Sequence, residues 1–535
     1  MKNAMIVAPQ PEAVEAGAVV LRQGGNAVDA AIACALVQGV VDPQMCGIAG
    51  FGSMQILLAA KGVHTCIDFH GRAPAATRPE MWQDLIEGET RDGFGFILKG
   101  RVNDLGYQSI TVPGSLKAYY EAQTEFGSRP WAEVMAPAIA QAEAGFVVRP
   151  HVYYWWTLEN QLGRVDVAER MAFSETGRRL YLDRNGALHR PGTRIRNPDL
   201  ARTLRRIAEH GADIFYTGEI AEEITADMAA NGGLLSDRDL AEYRTTRVEP
   251  LRGRYRGREI ATNRPPGGGV QLIEMLNVVE NFDLAALGHN TVEYIRVVAE
   301  AMKRATIDKD GHVGDPAFVD VPVARLTDKA YAGELAAAIR RGEKADVPRL
   351  GGPMESPHTT HISVIDRQGN AVSMTHSLGM PSGVITPGLG FMYNACMGVF
   401  DPRPGHAGSL APGKSRFSAM CPTIVFEDGE PCLIIGAPGG TQISLGVFQA
   451  TLNVLDFDMG ITDAIVAPRF SATSNAIDVA NRIPRFVTDE LEALGYDVVR
   501  SHLSYAFAAV HAICIVDGRC TGAADPSHDG MALAV

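Results

Sequence analysis

Zinc-type cysteine spacing and redox cysteine pairs are missing from this chain of 535 residues. Its eight cysteines are scattered, without a Cys-x-x-Cys pair and without His at the spacing of a zinc site. The glycine-rich segment at 47–52 does not resemble a phosphate-binding loop with its Lys-Ser/Thr ending. We therefore expect no metal and no cofactor, and we interpret the cysteines as buried thiols of a reducing compartment.

Positive charge and long apolar runs are also scarce. The chain has 49 Lys and Arg against 62 Asp and Glu, and the net charge of −13 disfavours nucleic acid or an anionic membrane as a partner. No stretch approaches the roughly 18 uninterrupted apolar residues of a membrane span. The first residues lack the apolar core of a secretory signal. These absences predict a soluble protein of the cytoplasm.

What is present is an ordinary globular composition, 46% hydrophobic and 21% charged. Length alone suggests two to four domains. Apolar periodicity predicts both helices and strands. The predicted helices cover residues 11–21, 29–41 (or from 26), 115–126, 131–144, 200–209, 220–228, 237–243, 270–279, 290–303, 445–455 and 487–494. The predicted strands cover residues 53–58, 64–69, 254–255, 259–262, 361–365, 371–375, 423–426, 433–435 and 505–516.

One aromatic run, Tyr-Tyr-Trp-Trp at 153–156, stands out in the N-terminal half. Such a run is typical of a core or a subunit contact, because aromatic side chains supply much of the buried area of proteins. A platform for a ligand is the alternative.

The most informative stretch is 355–379. Residues 361–365 and 371–375 are β-rich, and the Asp-Arg-Gln-Gly-Asn sequence between them predicts the turn of a hairpin. Thr359 and Thr360 precede the hairpin, and the prolines and glycines of 342–357 predict a linker before them. An accessible linker that leads into a sheet is a suitable place for proteolytic processing.

A threonine at a chain start can act as a nucleophile. Its own α-amine, with a pKa of about 8, can take the proton of the hydroxyl. Thr359 would have to become N-terminal first. The alternative is that Thr-Thr-His is an ordinary start of a strand.

A set of collinear motifs bears on this choice. They are Gly-Gly-Asn-Ala-Val-Asp-Ala-Ala at 24–31, Val-Pro-Gly at 112–114, Pro-Pro-Gly-Gly-Gly at 265–269, Thr-Thr-His at 359–361, Pro-Gly-Lys at 412–414 with Ser418, Gly-Ala-Pro-Gly-Gly at 436–440 and Ala-Pro-Arg-Phe at 467–470. On these motifs the chain resembles the γ-glutamyltransferase family of N-terminal-nucleophile hydrolases over most of its length.

The resemblance implies an α+β fold, a four-layer αββα sandwich. It also implies one precursor cut between His358 and Thr359, into residues 1–358 and 359–535. Thr359 would be the nucleophile of both cleavage and catalysis, and Ser377 a second hydroxyl near it. Gly439 and Gly440 match the glycines of the family's oxyanion hole. The alternative for these glycines is a plain turn before a helix.

The same resemblance assigns substrate contacts, and here the chain departs from the family. Gly379 stands where the family has an Asn, and Asn394 opens a segment that lacks the family's acidic pair. His70 stands where the family has an Arg, and Arg72 two positions later could face the same pocket. Ser418 keeps one hydroxyl of a Ser-Ser pair. The alternative for Arg72 is a surface arginine.

Contacts to a free amino acid are thus reduced, whereas the cleavage residues are retained. We expect an amidohydrolase for a small amide whose acyl part carries a carboxylate but no α-amino group, of oxamate or glutaryl type. A γ-glutamyltransferase or glutathione hydrolase is one alternative, and an uncleaved relative without activity is another. The oligomeric state stays open, with a homodimer as one option.

Overall fold

Two β-sheets packed face to face form the centre of the protein in a computed structural model that describes residues 1–90, 95–159, 163–347 and 359–535. The strands in chain order are β1 (Met5–Ala8), β2 (Phe51–Leu58), β3 (Val63–Phe69), β4 (Ile86–Glu89), β5 (Phe96–Leu98), β6 (Phe146–Val147), β7 (Arg194–Ile195), β8 (Thr246–Val248), β9 (Leu251–Tyr255), β10 (Arg258–Thr262), β11 (Thr360–Ile365), β12 (Ala371–Ser377), β13 (Thr423–Glu427), β14 (Glu430–Gly436), β15 (Phe470–Ser471), β16 (Ile477–Val479), β17 (Val498–Arg500), β18 (His511–Val516), β19 (Arg519–Ala524) and β20 (Met531–Ala534).

Helices surround the two sheets. In chain order they are α1 (Pro11–Arg22), α2 (Ala27–Val41), α3 (Ser115–Phe126), α4 (Trp131–Ala144), α5 (Pro150–Thr157), α6 (Val167–Ala172), α7 (Glu175–Tyr181), α8 (Pro198–His210), α9 (Asp213–Tyr216), α10 (Glu219–Ala230), α11 (Asp237–Glu242), α12 (Gly269–Val279), α13 (Leu284–Leu287), α14 (Val292–His312), α15 (Val323–Leu326), α16 (Lys329–Arg340), α17 (Ile443–Leu455), α18 (Ile461–Val466) and α19 (Arg485–Ala493).

The first sheet has the strand order β20-β1-β11-β12-β2-β3-β8, and the second has the order β19-β18-β14-β13-β10-β9. The outer face of the first sheet shares an apolar core with α1 to α4. The outer face of the second shares a core with α12, α14 and α17. The inner faces meet through an apolar patch that includes Val7, Ile365 and Ile434. This is the predicted four-layer αββα sandwich, which is confirmed.

The predicted hairpin is also confirmed. β11 and β12 pair antiparallel from Thr360 opposite His376 to Ile365 opposite Ala371. Asp366 stabilises the turn because its carboxylate accepts hydrogen bonds from the backbone N–H groups of Gln368 and Asn370, at 2.9 and 3.0 Å. The same carboxylate accepts from the N–H of Ala27 at 3.1 Å, and it thereby links the turn to the start of α2.

Two predicted elements were wrong in extent. Helix α14 continues to His312, nine residues past the predicted end, because its last turns bury paired charges such as Arg304 with Glu300 rather than apolar side chains. The predicted strand over 505–516 begins only at His511. Phe507 and Ala508 have φ values of 68° and 59°, a left-handed conformation that no strand contains.

Among the described residues, no helix has the length and apolarity needed to cross a bilayer.

Candidate active site

The predicted nucleophile lies at the end of the central hairpin. Thr360 is opposite His376, so the next pair outward is Thr359 beside Ser377. Their hydroxyl oxygens are 3.1 Å apart, and Thr359 is only 5% exposed. The N–H of Gly379 donates to the Ser377 hydroxyl at 2.7 Å. Either hydroxyl can be the donor between Thr359 and Ser377, and the N–H of Gly379 fixes the position of the Ser377 oxygen.

A buried polar network lies behind this pair, on the helix side of the sheet. The ring of His376 contacts the Tyr119 hydroxyl at 2.7 Å through Nδ1, and it contacts Oε1 of the Gln38 side chain at 2.8 Å through Nε2. The Gln38 amide donates to the Thr360 hydroxyl at 2.9 Å. Burial lowers the pKa of His376 to about 3, so its ring is neutral. The network joins β11, β12, α2 and α3 immediately next to Thr359, and no sequence motif indicated it.

The two predicted oxyanion glycines approach from the second sheet. At the end of β14, a Cβ on Gly436 would lie 2.2 Å from the ring of His361, which is two residues after Thr359 on the same face of the sheet. Three residues further, Gly439 and Gly440 have φ values of 140° and 57°, directly before α17. A Cβ on Gly439 would lie 2.7 Å from the Cα of Ala508. Both the conformation and the space therefore require glycine here.

His70 and Arg72 are further from Thr359 than the other candidates. Strand pairing places Ser377 beside Phe51, and Gly52 opposite Phe69, which brings His70 next to Phe51. The rings of Phe51 and His70 are 6.3 Å apart. Three strand spacings separate the backbones of His70 and Thr359, about 14 Å at the usual strand distance.

Asp68, His70 and Arg72 line one cavity of about 600 Å³, here called the polar cavity, together with residues that include Tyr243, Arg264 and Asp315. Burial, and then the cations Arg416 and Arg72, lower the pKa of His70 to about 3. Burial raises the pKa of Asp68 to about 7. The Arg72 guanidinium lies 5.5 Å from the centre of the Tyr243 ring. Arg72 and His70 thus share a pocket, as the spacing of two residues predicted.

Arg416 is the residue that the sequence reasoning missed. Its side chain is buried, and its guanidinium lies 4.6 Å from the centre of the Phe51 ring and donates to the sulfur of Cys396 at 3.6 Å. It therefore lies between Ser377 and the polar cavity. The available signal was an arginine two positions before Ser418, inside a motif already noted.

The absence of a side chain at Gly379 leaves space for the guanidinium of Arg416. A Cβ at position 379 would lie 2.8 Å from the sulfur of Cys396 and 2.9 Å from Nη1 of Arg416, and the φ of Gly379 is 70°. The resemblance placed a lost amide side chain at this position. In this protein a guanidinium occupies the adjacent space, so a cation lies beside the position of the lost amide.

Asn394 and Ser418 form protein contacts. The Asn394 amide oxygen accepts from the N–H and hydroxyl of Thr111, at 3.0 and 2.8 Å, and its amide nitrogen donates to the carbonyl of Ala49 at 3.0 Å. The Ser418 hydroxyl accepts from the N–H of Met420 at 3.2 Å. Contacts of these two residues with substrate stay predictions.

The scattered motifs converge around the site. The backbone of Arg72 bridges to both Val112 and Ser415. The N–H of Ser418 donates to the carbonyl of Pro266 at 2.9 Å. A Cβ on Gly268 would lie 2.4 Å from the carbonyl oxygen of Ala419, so the glycines of 265–269 permit this close approach. His358, on the other side of the predicted cleavage site, lies outside the described residues.

The family model of gamma-glutamyltranspeptidases matches residues 13–535. This chain belongs to that family. The Acylase ACY 1 proenzyme of Pseudomonas sp. (strain SE83) is 40% identical in an alignment of 538 positions that covers 99% of this chain and 93% of the relative. A glutathione hydrolase proenzyme of Pseudomonas sp. (strain A14) is 34% identical in an alignment of 486 positions that covers 88% of this chain and 81% of the relative.

A cephalosporin acylase from Bacillus halodurans has a crystal structure that superposes with a TM-score of 0.87 at 30% identity, covering 99% of this chain and 95% of that one. The chain is thus an enzyme of the gamma-glutamyltranspeptidase family, as the motifs predicted. Acylase and hydrolase relatives that are proenzymes support a self-cleaving amidohydrolase.

Proposed function

We propose that this gamma-glutamyltranspeptidase relative cuts itself before Thr359 and then uses Thr359 to hydrolyse a small amide whose acyl part carries a carboxylate. The observation that carries the proposal is the buried guanidinium of Arg416. It lies beside Gly379, whose N–H is bonded to the hydroxyl that contacts Thr359.

The chemistry needs few groups. Cleavage between His358 and Thr359 frees an α-amine, which takes the proton of the Thr359 hydroxyl as the oxygen attacks the amide carbonyl. The N–H groups of Gly439 and Gly440 stabilise the oxyanion. The C–N bond then breaks, the amine departs with the proton, and an ester to Thr359 remains. Water hydrolyses this ester, and Thr359 is regenerated.

Charge around the site favours a carboxylate over an ammonium on the acyl part. A guanidinium presents a planar fork of donors that matches a carboxylate, whereas an ammonium near Arg416 would be repelled. The acid of the polar cavity beside His70, Asp68, lies on β3, three strands from Thr359 in the first sheet, and is 3.7 Å from the His70 ring; its raised pKa leaves it partly neutral at pH 7. An unpaired buried ammonium costs several kcal/mol by order of magnitude.

The length of the acyl chain separates two variants of the proposal. An oxamate-type acyl group places its carboxylate next to the reacting carbon, whereas a glutaryl group extends further. Arg416 lies closer to Thr359 than Arg72 does, and the polar cavity of about 600 Å³ has room for longer chains. We therefore favour a glutaryl-type acyl group, with its carboxylate at Arg416.

A second candidate is a γ-glutamyltransferase or glutathione hydrolase. The relative of strain A14, named a glutathione hydrolase proenzyme, favours it. Here Arg416 would bind the α-carboxylate of the glutamyl group, and its α-ammonium would need a carboxylate or carbonyl partner.

A matched set of acyl p-nitroanilides tests these candidates. Glutaryl, γ-glutamyl and butyryl compounds have acyl chains of similar size but differ in carboxylate and ammonium, and ammonia release from oxamate tests the short acyl group. We expect the highest kcat/KM for glutaryl, at least tenfold above the other two anilides. If the γ-glutamyl compound is the best donor, the second candidate is correct. If a purified, uncleaved chain turns over none of them, the chain is a non-catalytic relative.

A further inference from the structure

A second cavity, of about 220 Å³, begins at the oxyanion glycine Gly439 and is called here the aromatic cavity. Its described lining contains no Asp, Glu, Lys or Arg. The lining residues are Tyr154, Trp155, Gly439, Gln442, residues 503–509, Ser527 and His528.

One wall is the loop that was mispredicted as a strand. Its Phe507 and Ala508 adopt the left-handed conformation, which costs of order 1–3 kcal/mol for residues other than glycine and persists only where the surroundings enforce it. Arg469 provides such a restraint, because its Nε donates to the Phe507 carbonyl at 3.0 Å. The N–H of Ala509 donates to the carbonyl of Pro438 at 3.2 Å. The loop is thus fixed against the oxyanion segment.

The opposite wall comes from α5, where the aromatic run separates into two roles. Trp156 is fully buried and donates its indole N–H to Gln44 at 2.8 Å, as expected of a core residue. Trp155 faces the cavity, with its ring 5.3 Å from that of His528, and its indole N–H donates to Nε2 of His151 at 3.0 Å. The predicted alternative of a ligand platform therefore applies to Tyr154 and Trp155.

His528 lines this apolar space and carries a buried ring nitrogen. The Ser527 hydroxyl donates to the Asp525 carboxylate at 2.6 Å, so its oxygen must accept from Nδ1 of His528 at 3.1 Å. Nε2 is then the acceptor nitrogen of a neutral ring. It is buried, in a side chain 6% exposed, and has no hydrogen-bond partner among the described residues. A buried acceptor without a partner costs free energy that a ligand could recover.

The aromatic cavity and the polar cavity lie on opposite sides of Thr359. The row from Thr359 through Ser377 and Phe51 to His70 leads along the first sheet to the polar cavity. In the first sheet, β1 and β20 lie on the other side of β11, and in the second sheet β18 lies next to β14. The aromatic cavity lies on this side of the two sheets, between α5 and the loop that precedes β18. In the tetrahedral intermediate the acyl chain and the amine are two different substituents of the same carbon. They point in different directions, away from each other and from the oxyanion.

We propose that the aromatic cavity binds the amine part of the substrate, and that this part carries a flat aromatic or heteroaromatic ring with a hydrogen-bond donor directed at Nε2 of His528. An apolar cavity of about 150 Å³ is large enough for benzene, so about 220 Å³ holds one substituted ring. This inference rests on the proposed amidohydrolase function, since it assigns the acyl carboxylate to the other side of Thr359.

The first test keeps the glutaryl acyl group and varies the amine among ammonia, butylamine and aniline. Trp155→Leu should lower kcat/KM for the anilide at least tenfold and change that of the primary amide less than threefold. The matched control is Tyr153→Leu, on the same helix but packed against the core, which should leave the ratio of the two amides unchanged. An equal loss for all three amides, or no loss for the anilide, would overturn the proposal.

The second test needs no turnover and so separates this inference from the proposed function. Binding of 4-fluoroaniline and fluorobenzene is measured by ¹⁹F NMR on wild type, Trp155→Leu, Tyr153→Leu and His528→Phe. We expect both probes to bind wild type and the Tyr153 variant, 4-fluoroaniline more tightly, and neither to bind Trp155→Leu. His528→Phe should remove the preference for 4-fluoroaniline. If wild type binds neither probe, the cavity is not a ring-binding site, even if glutaryl amides are hydrolysed.

Discussion

The polar cavity and the aromatic cavity differ in charge and in how their walls are built. The polar cavity is lined by Asp68, His70 and Arg72 from β3 and its extension, so its charged groups are fixed by the rigid sheet. The aromatic cavity is lined by Trp155 from a short helix and by a loop with two left-handed residues. If the two proposals are correct, the acyl end of a substrate is recognised by charge and the amine end by shape.

Substitution at Thr359 should have the largest effect, because Thr359 is the proposed nucleophile for substrates that occupy either cavity. Thr359→Ala should abolish both self-cleavage and turnover of every amide, since the variant lacks the hydroxyl that both reactions need. Thr359→Ser is the matched control and should retain both at reduced rates. The measurements are gel mobility of the purified chains and kcat. An alanine variant that is cleaved like wild type would assign the nucleophile to another residue.

The second-largest effect is expected at the predicted oxyanion glycines, which would act on substrates in either cavity. Gly439→Val should lower kcat about 10²- to 10³-fold, the usual cost of losing an oxyanion donor, because a Cβ there would collide with Ala508. Both the carboxylated and the neutral amides should lose rate by the same factor. Gly429→Val, in the turn after β13 where a Cβ has open space, controls for general strain, since it also has positive φ. Equal kinetics of the Gly439 variant and wild type would place the oxyanion hole elsewhere.

Arg416 distinguishes the acyl side from the amine side. Arg416→Gln should lower kcat/KM for glutaryl amides about 10- to 150-fold, equivalent to about 1.5–3 kcal/mol for a hydrogen bond to a charged group. Butyryl amides should change little, and the preference among amines should stay. Arg254→Gln, an exposed arginine at the far end of the second sheet, is the control. A uniform loss for charged and neutral acyl groups would show that Arg416 is structural.

Arg72 should matter less than Arg416. Its guanidinium lies beyond His70 and over Tyr243, and it is partly exposed. We expect Arg72→Gln to cost at most about 1 kcal/mol, typical of exposed charge pairs, or about fivefold in kcat/KM for glutaryl amides. An effect equal to that of Arg416→Gln would assign the carboxylate to Arg72.

The last effect concerns the pH dependence of stability and not turnover. Burial, and then His151, lower the pKa of His528 to about 3, although Asp525 raises it and Arg469 lowers it further. The unfolded value is about 6.5, so the stability contributed by neutral His528 is complete above pH 6.5 and is lost as the pH falls toward 3. Between pH 6.5 and 5 the free energy of unfolding of wild type should fall, and in His528→Gln this fall should be smaller by about 2 kcal/mol.

In the polar cavity the pH dependence is partly offset. His70 behaves like His528, but Asp68 has a raised pKa of about 7, so its contribution is lost as the pH rises from about 4 through 7. His70→Gln should therefore leave the Asp68 contribution uncompensated, so that the variant loses more stability than wild type as the pH rises from 5 to 7. Urea unfolding at pH 5 and pH 7 measures both variants. If the free energy of unfolding changes equally with pH in wild type and in His528→Gln, the assignment of a neutral, buried His528 is contradicted.

Local pattern was sufficient for the framework of the site. Alternation and turn residues predicted the β11–β12 hairpin, and the N-cap and spacing of 26–41 predicted α2. Motif order predicted that Thr359, Ser377 and Gly439 belong to one site. These features follow from residues close in sequence or from a known family pattern.

Features that depend on pairing across the chain were not predictable. Arg416 lies next to Gly379 because two segments meet in space, and no local spacing indicates that a glycine makes room for a distant guanidinium. The loop at 505–510 has the β-rich composition of a strand, yet Tyr505 and Phe507 line a cavity instead of pairing. Composition alone cannot distinguish these two uses of aromatic residues.

Mass spectrometry with N-terminal sequencing of the purified wild-type protein tests the central claim most directly. The account predicts two polypeptides, of which the smaller begins Thr359-Thr360-His361 and contains 177 residues, from 535 − 358. A single intact chain that hydrolyses glutaryl amides at full rate would contradict it, because Thr359 would then have no α-amine to act as the base.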